Sequence, residues 1–406
     1  MLTIEEKFKL MATDSAPGQE VRASGAVQGL IGEALEGPRV DFSHGDVDAH
    51  PPIPGSIELF DQGFDEGAPQ AYTEYRGRAA LREYLAEKLG EFSGASVDAD
   101  SELIVTPGTQ GALFLAMGVN IMPGDKVALI EPDYFANRKL IVFFGGELVP
   151  IHLDYFGGEA EGRAGLDLDE LERAFASGVK LFIFSNPNNP AGCLYSREEV
   201  EAIGKLAAKY GVKVIADELY ARQIFEGREY THLRSLGIMD PEDLITIIGP
   251  SKTESMSGFR LGVAYGSPSM IVRMEKLQAI VSLRAAGYCQ AVIPRWFSEP
   301  EGWMAERIAA HAAIRDDIVA EFRSCEGVRV RPTEGGSYVF PQLPALKLGL
   351  KDFVAALRVQ ANVIVTPGTE FGPQFTDSIR LNFSQDHGKA VDAVKRICTM
   401  VDRYRA

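Results

Sequence analysis

The sequence holds little cysteine: four residues in 406, with Cys193, Cys289, Cys325 and Cys398 far apart, no C-x-x-C pair and no neighbouring histidine. That argues against a disulfide framework and against structural zinc, so buried, reduced thiols and no metal site are expected. Long apolar runs are missing too. Stretches such as LIVFF at 140–144 fall far short of the roughly 20 residues a membrane-spanning helix needs. The opening MLTIEEKFKL carries acids and no extended apolar region, so a cytoplasmic chain without a membrane partner is expected. Basic clusters are absent, and 41 Lys and Arg stand against 57 Asp and Glu, a formal net charge of −16. Such a surface repels nucleic acid and anionic lipid. No internal repeat or low-complexity stretch occurs, and no G-x-x-x-x-G-K-[ST] loop, which argues against a P-loop nucleotide-binding protein.

What is there is an alternating pattern. From about residue 100 to 290, β-rich runs (ELIVTPG, KVALIEP, VKLFIFSNP, VKVIADE, LITIIGPSK) are separated by helical ones such as TQGALFLAMGV and REEVEAIGKLAAKYG. Short continuous apolar runs with helices between them are what a mostly parallel sheet covered on both faces requires. Beyond residue 300, two amphipathic helical patterns bracket the strand candidates GSYVFPQL, VIVTPG and SIRLNFS. The expected fold class is α/β: a large domain over 51–296 with a mostly parallel, helix-covered sheet, and a smaller α+β domain made from both chain ends, 1–50 and 297–406.

Ligands of such sheets bind where strands end, and the strand ends here carry unusual residues. PGTQGAL, 107–113, is a glycine turn opening a helix, a place suited to an anion, although a plain turn also explains it. NPNNPAG, 186–192, offers asparagine amides between prolines. Asp217 ends the buried run VKVIAD, where a carboxylate is costly unless it meets a cation or serves as a helix cap. Lys252, in GPSKTESMSGFRLG, follows LITII, and a partly desolvated amine there can attack an aldehyde. Arg260, eight positions on, suits a phosphate. An anion site, an aromatic, an asparagine, an aspartate with a tyrosine, and a lysine followed by an arginine together meet the needs of pyridoxal 5′-phosphate.

In that order and at those spacings, YTEYRG, TPGTQGAL, PDYF, NPNNPAG, DELY, the SK pair, GGSYVF, VIVTPGTEFG and IRLNFS make the chain resemble a fold-type I pyridoxal-phosphate enzyme of the class I/II aminotransferase family over nearly its whole length. The resemblance implies that Lys252 forms the internal aldimine and later moves the proton between Cα and C4′. It implies that Asp217 pairs with the ring nitrogen, that Tyr220 and Asn189 bond the phenolic oxygen, and that Tyr134 stacks on the ring. Gly108, Thr109, Gln110 and Arg260 would hold the phosphate, with Ser251 beside the lysine as a further contact. Arg380, with Asn189, would bind the substrate α-carboxylate, and Gly45 would lie where the N-terminal segment closes over it. A homodimer is implied, Tyr72 of one copy reaching the phosphate of the other, with an amino acid and a 2-oxo acid as substrates.

Two features depart from the family pattern. Gly249 stands where a hydroxyl residue three positions before the lysine is usual, and Val47 replaces a usual proline in GDVDAHPP, with His44, Asp46 and His50 nearby. The second marks an unusual substrate pocket or a solvated loop. Elimination, cyclopropane-forming ring closure, racemisation or oxidation on the same fold remain alternatives to transfer. A ligand-sensing regulator would need an attached DNA-binding domain, for which no room is expected. Aromatic, branched, acidic and basic amino acids all remain open as substrates.

Overall fold

The computed structural model describes residues 3–11, 30–225 and 227–406. Twelve strands run in chain order among them: β1 (Val40–Asp41), β2 (Leu103–Pro107), β3 (Lys126–Glu131), β4 (Glu147–His152), β5 (Leu181–Ser185), β6 (Lys213–Asp217), β7 (Leu244–Ile248), β8 (Leu261–Gly266), β9 (Tyr338–Val339), β10 (Val363–Ile364), β11 (Thr366–Pro367) and β12 (Ile379–Asn382). Seven of them form one sheet in the order β2-β8-β7-β6-β5-β3-β4. Strands β3 to β7 pair in parallel, and β8 runs antiparallel to both β7 and β2.

The apolar runs read as strands alternate between two buried faces. Phe182 and Phe184 of β5, with Val214 and Ala216 of β6, pack under helices Leu168–Ala176 and Arg197–Tyr210. Leu181, Ile183, Ile215, Ile245 and Ile247 face the other way, toward helices Gly108–Gly118 and Pro268–Val281. Burial on both faces is why these segments read as continuous apolar runs rather than alternating ones, at about 1.5–3 kcal/mol for each large side chain fully buried. Helix Arg197–Tyr210 starts in a reciprocal cap: Ser196 Oγ accepts from the Glu199 amide and Glu199 from the Ser196 amide. The left-handed Gly211 ends it.

Two strands of the sheet are not among those anticipated. β4 lies at the sheet edge with only Ile151 of its six residues buried, and β8 begins and ends near glycines in LGVAYG, so neither presents a long apolar run.

The C-terminal part builds a separate core. Strand β12 lies between β11 and β9, and β1 pairs in parallel with β10, so Val40 and Phe42 join Ile318, Phe322, Leu357, Leu381 and Ile397. The short helix Ile4–Leu10 lies against helix Phe135–Phe143, with Lys7 Nζ 4.0 Å from the Phe143 ring centre. All four cysteines are free; Cys193 and Cys325 are buried, and Cys289 and Cys398 are half-buried. Among the described residues no helix is long and apolar enough to cross a membrane, and no cluster of His, Cys, Asp and Glu could hold a metal. The carboxyl ends of β5, β6 and β7 carry the motifs singled out above, and they converge.

Candidate active site

After β2, Gly108 adopts φ +74° and opens helix Gly108–Gly118, whose N-terminus no side chain caps. Its first amides are free to meet an anion. β8 approaches this turn so closely that a Cβ at Gly262 would fall on the Gly108–Thr109 peptide, and a Cβ at Gly108 would strike the Arg260 guanidinium. Arg260, itself left-handed at φ +53°, donates to the Ser257 carbonyl at 3.1 Å. The absent hydroxyl at Gly249 has the same cause. A Cβ there would lie 2.9 Å from Thr109 Cγ2 and 3.1 Å from the Leu261 carbonyl oxygen. Ser251, buried, points its hydroxyl at the Leu261 carbonyl, 3.4 Å away.

At the ends of β5 and β6 lie two buried carboxyls. Asp217 accepts one hydrogen bond, from the Leu219 amide at 3.1 Å; burial raises its carboxyl to about 7 against the pull of that amide. No cation pairs with it among the described residues. Burial likewise raises Asp133 to about 7, although it accepts from Ser185 Oγ at 3.0 Å and the Tyr134 amide at 2.6 Å. From Asp133 a chain runs outward. Ser185 Oγ accepts from the Asn189 amide at 3.3 Å, and Asn189 Oδ1 accepts from Arg380 at 3.1 Å.

Arg380 leaves only 3% of its surface exposed. It donates also to the Ser43 carbonyl and Thr366 Oγ1, lies 4.4 Å from the Tyr338 ring centre and 4.8 Å from that of Phe371, and keeps a buried Nε with no partner. No carboxylate pairs with it among the described residues, so a planar anion has a guanidinium waiting.

Lys252 stands half-buried where two cavities meet. The smaller, of about 110 Å³, is walled by Thr109, Gln110, Tyr134, Asn189, Asp217 and Arg260 among others, and Tyr134 donates to Gln110 at 2.9 Å. The larger, of about 740 Å³, is walled by Gly45, Asn382 and Ser384 among others. Tyr220, Ser251, Lys252 and Ser257 belong to both. Behind the lysine, Arg222 and Trp296 hold Glu254 at 2.7 and 3.1 Å, and Arg307 holds Ser255, which is left-handed at φ +56°. The lysine loop is thereby anchored from its far side.

Of the named residues, Gly108, Arg380 and Tyr72 line neither cavity: Gly108 opens the helix whose next residues, Thr109 and Gln110, do, and Arg380 reaches the smaller cavity's wall through Asn189. Tyr72 lies outside both, 79% exposed, with Arg284 5.4 Å from its ring centre. The residues in and beside GDVDAHPP divide: His44 and Val47 are exposed, Asp46 caps the Asp48 and Ala49 amides, and His50 turns inward to the Gln385 carbonyl. Sequence reasoning missed Tyr338, whose hydroxyl accepts from Tyr220 at 2.9 Å, although it sits in the quoted GGSYVF. It also missed Ser257, in the stretch between Lys252 and Arg260, and Leu219, two residues after Asp217. Apolar Leu219 carried no chemical signal.

Fold and site together define an α/β enzyme that gathers an amine, a buried carboxyl and two arginines at the carboxyl ends of a parallel sheet. The model of the family "Aminotransferase class I and II" matches residues 41–397, and the chain belongs to that family: it is an aminotransferase. It is 29% identical over 350 residues to an aspartate aminotransferase of Sulfurisphaera tokodaii, covering 85% of this chain and 86% of that protein. It is 24% identical to aromatic-amino-acid aminotransferase 2 of Thermococcus litoralis, covering 84% and 85%. A crystal structure of an aspartate aminotransferase from Rhodobacter sphaeroides is 57% identical, covers the whole of both chains and superposes with a TM-score of 0.94. An aromatic aminotransferase structure from Pyrococcus horikoshii, 24% identical over 90% of this chain and 95% of that one with a TM-score of 0.81, shares the fold.

The raised Asp217 carboxyl has a consequence for the ligand-free protein. A group whose folded pKa exceeds its unfolded one, here about 7 against about 4, stabilises fully below the unfolded value and loses that contribution as pH rises through the folded one. Asp217→Asn should therefore gain in thermal midpoint over wild type as pH rises from about 4 to about 7, then hold that gain. A midpoint difference that stays flat from acid to neutral pH would show that the carboxyl titrates normally.

Proposed function

We propose that this aminotransferase binds pyridoxal 5′-phosphate on Lys252 and moves an α-amino group between an L-amino acid and a 2-oxo acid across the two cavities. The observation that carries the reading is a pair of complementary groups on one cavity wall, neither of them in an ion pair among the described residues: Asp217, a buried carboxyl, and Lys252, an amine. The residues present fit the cofactor. The uncapped helix start at Gly108, with Thr109, Gln110, Ser251 and Arg260, suits a phosphate. Asp217 suits a protonated ring nitrogen, and Tyr220 with Asn189 a phenolic oxygen. The Tyr134 ring offers a stacking face.

When bound, the cofactor supplies an aldehyde and an electron-accepting ring that stabilises negative charge at the substrate Cα. The chain's own residues do the rest. Arg380, braced by Asn189, takes the α-carboxylate and orients the Cα–H bond, and Gly45 closes beside it. Lys252 would take the Cα proton and carry it between the substrate and the cofactor. Asp217 keeps the ring nitrogen protonated. The sheet unit, 51–296, thus carries the cofactor, while both chain ends supply the carboxylate site.

The working form we propose is a homodimer. An open apolar cleft of about 350 Å³, walled by Pro107, Phe114, Leu115 and Val281, shares Gln110 and Arg260 with the smaller cavity. Ile280 is 81% exposed, and Tyr72 has no role within its own chain's cavities. A second copy over this face would bury those side chains and bring its Tyr72 to the phosphate end.

Borohydride should fix the cofactor covalently to the wild type and leave Lys252→Ala unlabelled by mass spectrometry; labelled Lys252→Ala protein would overturn the lysine assignment. Arg380→Leu should lower kcat/KM for amino acids by roughly 2 to 5 kcal/mol of binding to the reacting state, while sparing amines that lack the carboxylate. Equal loss for both classes would count against it. Light scattering at assay concentration should give twice the chain mass, and a fully active monomer would refute the dimer.

A further inference from the structure

Two histidines that the mechanism does not use lie behind the wall of the larger cavity, with ring centres 4.4 Å apart. His50 Nε2 is 2.9 Å from the Gln385 carbonyl oxygen. His311 Nδ1 is 2.8 Å from the Arg307 carbonyl oxygen, and its Nε2 is 2.9 Å from Ser384 Oγ. A carbonyl oxygen only accepts, so the hydrogens sit on His50 Nε2 and His311 Nδ1. Burial, with His50 and the Arg307 guanidinium alongside, pushes His311 down to about 3, so the ring stays neutral and its Nε2 offers a bare lone pair. The Ser384 hydroxyl must then donate to it.

That spends the only hydrogen Ser384 Oγ has. The side chain is 7% exposed and lines the larger cavity, its amide donates to Asn382 Oδ1 at 3.0 Å, and its carbonyl accepts from the Asp46 amide at 2.7 Å. Gly45 closes over it, so that a Cβ there would stand 3.4 Å from Ser384 Oγ. Ser384 is thus fixed in place and able to offer only acceptor lone pairs to whatever enters. Around it, Asp41, Asp46, Asp48 and Asp386 line the same cavity with the cations Arg39, Lys252 and Lys389; Asp48, Asp386, Arg39 and Lys389 are exposed.

We propose that Ser384, held by His311, is a specificity-determining residue whose oxygen accepts a hydrogen bond from the substrate side chain. The enzyme then favours amino acids whose side chain ends in a hydroxyl, carboxamide or ammonium group over isosteres ending in methyl or carboxylate. A carboxylate would meet lone pairs, and a methyl would leave the oxygen unsatisfied. The inference rests on the reading that the larger cavity receives the amino acid.

The test compares kcat/KM of the holoenzyme within matched sets: asparagine with aspartate, glutamine with glutamate and methionine, lysine with norleucine. In at least one set the donor-bearing member should lead by about tenfold or more. Ser384→Ala, or Ser384→Cys if the first misfolds, should erase that lead by slowing the donor-bearing member selectively. His311→Leu, which frees the hydroxyl to turn and donate, should raise the carboxylate member relative to its partner. A wild type that prefers the carboxylate members, or a Ser384 variant that slows every member equally, overturns the proposal. Failure of the underlying site reading looks different: Arg380→Leu would then leave all members unaffected.

Discussion

The structure depends on a carboxyl placed where a carboxylate should not be. Asp217 closes a strand buried on both faces, with one amide for company, and the cost of charge there is met only by a proton or by a cation brought from outside. Among the described residues no cation relieves it, which is why the proposed function gives it a protonated ring nitrogen as partner. The stacked sheet around it supplies the low dielectric that makes such a pair strong.

The same constraint organises the residues further out. Arg380 is a buried guanidinium without a carboxylate, steadied by Asn189, the Ser43 carbonyl and two aromatic faces. Its orientation reaches back through Asn189 and Ser185 to Asp133, so an arginine of one core is aligned by a buried carboxyl of the other. Breaking any link would leave a buried polar group unpaired, which costs more than the bond itself contributes. Glycine serves a different need. At Gly108, Gly249 and Gly262 it lets β8 and the loop after β7 press against a helix start, which leaves that helix's amides and Arg260 facing one small space.

Much of this was legible from the chain. Central strands buried on both faces are continuous apolar runs, and five of the seven in the sheet could be seen that way. Edge strand β4, mostly solvent-facing, and β8, interrupted by glycine, carry weaker patterns because pairing with neighbours rather than local composition holds them in the sheet. Lys252, Asp217, Arg260 and Arg380 stood out because charged groups beside apolar runs are expensive. Leu219, Ser257 and Tyr338 did not stand out, since an apolar residue, a loop serine and a strand tyrosine have ordinary structural uses. His311 was hidden for a related reason: within the long helix Trp303–Ser324 it reads as one more polar position.

The sequence by itself determined the fold class and the charged groups of the site, because periodicity, turn residues and misplaced charge are local properties of the chain. It also determined the family, through motifs kept in one order over nearly the whole length. Only the tertiary structure decided how those groups act on one another. The absent hydroxyl at Gly249 becomes a packing requirement once Thr109 and Leu261 are seen beside it, and of His44 and His50 only His50 turns inward. Ser384 becomes a fixed acceptor only because a histidine 73 residues away, itself held by a backbone carbonyl, takes its hydrogen. Proton placement depends on partners brought together by folding, and no local pattern in the chain encodes it.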